Sequence, residues 1–188
     1  MPDDLGTRAA YVATVLGRPK LFLGIEGVLS IASTDEKHGL LVLRGPNHQL
    51  LGVRFNEDRI RALRAVIREF DLDVAFISYL NSIPGMADQY MNAFDMPGRT
   101  VKIANPRAAG FSHRFEAHAI AADQRERLAP FAWAAPDQKF VSKEVRNTFR
   151  VSSLLLATSM FEGISELQIK RLREFYSSLP AGMSGPVR

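Results

Sequence analysis

Two side chains in this sequence stand where a site would form, each just after a short apolar run. Glu26 follows Leu21-Phe22-Leu23-Gly24-Ile25, and Ser78 closes Val74-Ala75-Phe76-Ile77. In an open parallel sheet, ligands bind beyond the carboxyl ends of the strands. Three such ends are expected, at Gly24–Leu29, Ser78–Leu80 and Ala134–Asp137. A carboxylate at such a place can move protons if its geometry allows, and a serine hydroxyl can hydrogen-bond an anion. Plainer readings stand beside these. Glu26 also suits a polar strand end, Ser78 a turn, and Gly24 a close backbone approach.

Other reactive constellations are missing from the sequence. His113 and His118 lie five apart on a predicted helix and point about 140° apart. His-Arg-Phe-Glu-Ala-His is not the zinc spacing His-Glu-x-x-His. There is no Gly-x-Ser-x-Gly elbow and no Walker-type phosphate loop. The chain has no cysteine, which excludes disulfides, thiolate metal sites and a cysteine nucleophile.

The elements that must position these residues follow from periodicity. Residues 4–16 read as a helix ending at Gly17. The runs 21–25, 74–77, 130–134 and 154–156 read as buried strands. Residues 40–55 read as a hairpin around Gly45-Pro46-Asn47. Asn56 caps a helix whose buried face is Ile60, Leu63, Val66, Ile67 and Phe70. Arg59, Arg61, Arg64 and Arg68 lie mostly opposite and form a solvated face that Glu57, Asp58 and Glu69 partly neutralise. Residues 86–94 and 112–128 read as helices and 100–103 as a short strand. Ser165-Glu166-Leu167-Gln168 is a capping box opening a last helix. Strands alternating with helices predict a parallel sheet covered on both faces. The expected fold is a three-layer Rossmann-like α/β domain over 18–179, with a helical arm over 1–17 and a disordered tail over 180–188.

The chain has 188 residues, enough for one domain with a sizeable core. Its +4 charge comes from 18 Arg and 6 Lys against 20 acids, spread along the chain. Nucleic-acid binders concentrate basic charge on one face, so nucleic acid is the weaker partner expectation. No apolar run approaches the ~20 residues that span a bilayer. The start of the chain lacks the basic-then-apolar order of a signal peptide. A cytoplasmic location and no membrane partner are expected.

Leu21 to Leu29 resembles the first motif of the haloacid-dehalogenase-like (HAD-like) hydrolases, an apolar strand running into Asp-x-Asp-Gly-x-Leu. Val74–Ser78 resembles their second motif, and Phe131-Ala132-Trp133-Ala134-Ala135-Pro136 their last. The hairpin resembles the family's flap, and Gly163-Ile164-Ser165 before a helix is like that of small capless members. The resemblance implies a flap after the first strand and no large cap. It also implies losses. The nucleophilic Asp position is Gly24, the general acid and base position is Glu26, and the metal-holding Asp positions are Ala135 and Pro136. Covalent catalysis needs a nucleophile, and a hard cation needs carboxylate oxygens. The implied function is a catalytically inactive relative that binds or regulates, through a residual anion cleft or a protein-interaction surface. The expected partner is a protein, or an anionic or phosphorylated small molecule. The ligand-binding set is Gly24, Glu26, Gly27, Ser78, Lys102 (in the place of the family's phosphate-binding lysine) and Asp137, with no metal and no cofactor. The alternative is a phosphohydrolase with rearranged chemistry on Glu26 or Asp137, and only that reading brings magnesium.

Overall fold

The computed structural model describes residues 17–103, 113–136 and 151–180. The predicted helix over 4–16, Asp137 and the tail beyond Pro180 lie outside the described residues.

The chain runs β1 (Lys20–Leu23), β2 (Gly39–Arg44), β3 (Leu50–Phe55), α1 (Glu57–Glu69), β4 (Asp73–Phe76), α2 (Met86–Ala93), β5 (Arg99–Thr100), α3 (Arg114–Glu126), β6 (Phe131–Pro136), β7 (Ser153–Thr158) and α4 (Glu166–Ser177). Five strands form a parallel sheet in the order β5-β4-β1-β6-β7. β2 and β3 form a separate antiparallel hairpin.

The three central strands are buried on both faces because they are almost wholly apolar, as parallel strands under two helical layers must be. Alternate side chains divide between two cores. Leu21, Leu23, Val74, Phe76, Ala132 and Ala134 pack with α1, α2 and α4. Phe22, Ala75, Phe131 and Trp133 pack with Ala117 and Ile120 of α3. The architecture is Rossmann-like α/β, with helices on both faces.

The predicted caps hold. Asn56 Oδ1 accepts the Arg59 amide at 3.1 Å, and Ser165 and Gln168 exchange both bonds of the capping box. The strand expected over 100–103 pairs only at Arg99 and Thr100. One ladder bond follows, from Val101 N–H to the Phe76 carbonyl (2.9 Å), and there the Asn81 side-chain amide joins the two segments by donating to the carbonyls of Phe76 (2.7 Å) and Val101 (3.1 Å).

The arginine face also differs from expectation. Arg64 and Arg68 both converge on Asp95, which follows α2. Arg59 donates to the Glu162 carbonyl at 2.5 Å. Of the acids on α1, Asp58 pairs with Arg61, but Glu69 pairs with Arg173 of α4. The face is therefore tied into its surroundings rather than simply solvated. Sequence distance hid Asp95 from a reading confined to one helix.

Candidate functional site

β1 lies between β4 and β6, so the three strand ends singled out in the sequence are neighbours. Leu23 is level with Phe76 on one side and Ala134 on the other. The ladder runs one step further, with Gly24 N–H donating to the Ala134 carbonyl (2.8 Å) and Ile77 N–H to the Leu23 carbonyl (2.8 Å). The chain then curls. The Ile25 carbonyl accepts the amides of Leu29 (2.9 Å) and Ser30 (3.0 Å). Gly27 turns this corner at φ 66, a region that disfavours any side chain.

The curl aims Glu26 at the end of β4. Ser78 caps the short 3-10 segment Tyr79–Ser82, its Oγ accepting the Leu80 amide at 3.1 Å. The same hydroxyl donates to Glu26 Oε2 at 2.7 Å. Glu26 Oε1 is sealed from solvent without a hydrogen bond of its own. Burial pushes the Glu26 carboxyl above its ordinary range. Hydrogen bonds from Ser78, from its own backbone and from the Tyr79 hydroxyl oppose that rise without cancelling it, and the nearby charge of Glu116 adds to it. The Tyr79 contact helps hold the carboxylate yet falls short of a well-formed bond at Oε1.

Two further groups are close enough for charge to be felt between them and Glu26. Tyr90 on α2 is pushed up to about 12, by burial first, with a hydrogen bond to Ser30 opposing and the Glu26 charge adding. Glu116, buried on α3, accepts from or shares a proton with His113 Nδ1 at 2.6 Å. Tyr79, Tyr90 and Glu116 escaped the sequence reading because they reach Glu26 from three other segments. Only the His113–Glu116 pair, three apart on one helix face, had a local signal.

The structure brings Glu26 and Ser78 together. Gly24 and Gly27 are beside them but buried. A Cβ on Gly27 would lie 2.7 Å from Met160 Sδ and 3.0 Å from Pro136 Cβ, so protein fills that side of the strand end. Lys102 is exposed and makes no hydrogen bond or ion pair with Glu26 or Ser78. It follows β5, two strands from β1 and roughly 10 Å aside at ordinary strand spacing. Asp137 lies outside the described residues. The site thus carries the Glu26 carboxyl with the charge of Glu116 felt nearby, and among the described residues no lysine or arginine is bonded to either.

A hard divalent cation takes six or more oxygens. Ala135 and Pro136 offer no side-chain oxygen, and among the described residues no group of three or more metal-binding side chains surrounds one point. The donor set present does not fit magnesium. No family model matches the chain, and no curated protein or solved structure matches it either. Among the described residues, no helix is long and apolar enough to cross a membrane.

Proposed function

We propose that this chain is a degenerate relative of the HAD-like phosphohydrolases, catalytically inactive, that serves as a protein-binding or regulatory module. Several features support the reading. The three segments that resemble the family's motifs end side by side at the centre of the sheet. A hairpin follows the first strand, where the family has its flap. The observation that carries the functional half is at the mouth of β1. Gly24 offers no nucleophile there, and the Glu26 carboxylate is bound by Ser78 instead of facing open space.

Of the two modes of binding, a protein surface is favoured over an anion cleft. Glu26 and Glu116 oppose an anion, and Lys102 does not reach them. Glu26 with a raised pKa has the character of a general acid, so the rearranged-enzyme reading has one observation of its own. Incubation with an aryl phosphate and magnesium separates the two. No phosphate release is the expected result. Turnover that disappears in Glu26→Gln would overturn the inactive reading. Turnover that persists in that variant would overturn it as well, and would point to Asp137.

A further inference from the structure

The hairpin carries features that its own fold does not use. The Gln89 side chain bonds both the N–H (2.7 Å) and the C=O (3.0 Å) of Arg44. That aims Arg44's backbone away from β3 and fixes the phase of the pair. Leu43 with Leu51, and Leu41 with Val53, then exchange the cross-strand bonds. The backbone groups of Leu50, Gly52 and Arg54 therefore point out from the free edge of β3. Ile31 N–H takes the Arg54 carbonyl at 2.9 Å. Among the described residues, nothing takes those of Leu50 or Gly52. The edge of β2, by contrast, is flanked by α2.

The outward face is unusual too. The solvent side of a hairpin is ordinarily polar. Here Leu40 is 55%, Val42 55% and Leu50 69% exposed. Gly52 beside them leaves the surface flat. The remaining positions on that face are Arg44 and Arg54; among the described residues neither forms an ion pair, and Arg54 donates to the His38 carbonyl at 3.0 Å. No acid is on it.

We propose that this edge and face bind an extended, apolar and acidic segment of another protein, which adds as a strand beside β3. Main-chain bonds to Leu50 and Gly52 would hold it, and pockets for alternate side chains would select it. Charge decides the occupant. A second copy of this chain would bring the same two arginines to the junction, whereas an acidic strand neutralises them. The inference rests on the binding-module reading and specifies its partner. The two fail separately, since one is read at hairpin amides and the other as phosphate release.

The test uses the full chain and two blocked peptides, one alternating glutamate with valine and one alternating lysine with valine. Titration should show the glutamate peptide binding at least about tenfold tighter. It should also slow hydrogen exchange at the Leu50 and Gly52 amides. Arg44→Glu should tighten the lysine peptide and erase most of the preference, and tighter binding is an outcome that misfolding cannot imitate. Leu50→Ser, which removes the exposed apolar side chain without changing the charge, should weaken the glutamate peptide about tenfold with an unchanged melting temperature. Equal affinity for both peptides would overturn the proposal. So would unchanged exchange at Leu50 and Gly52, or protection that rises with protein concentration alone, which would make a second copy the occupant.

Discussion

Ser78 Oγ donates to Glu26 Oε2 at 2.7 Å across the gap between the β1 and β4 ends. The bond spends one oxygen of a buried carboxylate and leaves the other without a full partner. Burial is the largest influence on this group, and the net effect raises its pKa above the unfolded value near 4.5. Between the unfolded and folded pKa values, the native state therefore holds a proton there that the unfolded chain has released. Stability from this group is complete below that unfolded value and is lost as pH rises through the folded pKa. Glu26→Gln keeps an acceptor for Ser78 and removes the charge. It is expected to raise the melting temperature at neutral pH, with the gain shrinking toward pH 4. A variant less stable than the parent at pH 7 would show that the ionised carboxylate is stabilising.

Gly24 and Gly27 are expected to behave differently, though both belong to the resemblance. Gly24 is not among the residues with positive φ. A Cβ there would sit 3.2 Å from Val28 Cγ2 and 3.4 Å from the Ala134 carbonyl, tight but not closed. Gly24→Ala should change stability by no more than about 1 kcal/mol, because lost unfolded-state entropy offsets the crowding. Gly27→Ala meets a left-handed φ and a 2.7 Å clash with Met160 Sδ. It should cost about 2 kcal/mol or more. Urea unfolding of the pair measures both. The absence of a side chain at Gly24 is then a chemical fact about the site and not a backbone requirement.

The central strands, the hairpin and the caps were legible because each is written in a few adjacent residues. Leu21–Ile25 is apolar throughout, and Ser165 and Gln168 sit three apart. What lay beyond the sequence depends on contacts between distant segments. Lys20 begins β1 fully buried, a position that hydropathy assigns to solvent. Asp71 and Asp95 end α1 and α2 at φ 47, in the place where glycine is the usual stop. The amides of Leu72 and Met96 reach back to Ile67 and Met91 and complete the same motif in each. An aspartate in that conformation carries no local mark that separates it from any other loop acid. Tyr79, Tyr90 and Glu116 were hidden for the same reason.

The buried amino end of the sheet makes an unequal pair of mutants. Lys20 Nζ bonds Asp123 Oδ2 at 2.7 Å and the Arg127 carbonyl at 2.6 Å. Asp123 Oδ1 also meets Arg99 at 2.6 Å. Asp123→Ala strands an ammonium that is fully buried with one carbonyl as partner. It should destabilise by about 3–5 kcal/mol. Lys20→Met leaves Asp123 its arginine and replaces the stem with a similar apolar one, so the loss should be smaller by at least about 1 kcal/mol. Burial raises the Asp123 pKa, but the bonds from Arg99 and Lys20 outweigh it and hold the group below its ordinary 3.8. Its contribution is present above that value and lost as pH falls through the folded pKa. Acid unfolding of the parent should therefore steepen below pH 4, and less so in the Asp123 variant.

Tyr176 on α4 offers a test of how the sheet is joined to its helices. Its hydroxyl donates to the Lys20 carbonyl at 2.7 Å and accepts the Ala132 amide at 3.2 Å, so a side chain bridges β1 and β6 from below. Full burial pushes its pKa far above the usual tyrosine range, and the group stays neutral throughout any practical titration. Tyr176→Phe keeps the ring contact with Phe70, whose centroid is 5.7 Å away, and removes only the bridge. The Ala132 N–H and the Lys20 C=O are also ladder partners in the β1–β6 register, so each keeps one bond and loses a second. The expected cost is about 0.5–1.5 kcal/mol, seen as a lower urea midpoint with an unchanged slope. Hydrogen exchange at Ala132 should accelerate more than at Ala134, which lies further along β6. A cost near zero would mean that the direct β1–β6 ladder bond alone satisfies both groups.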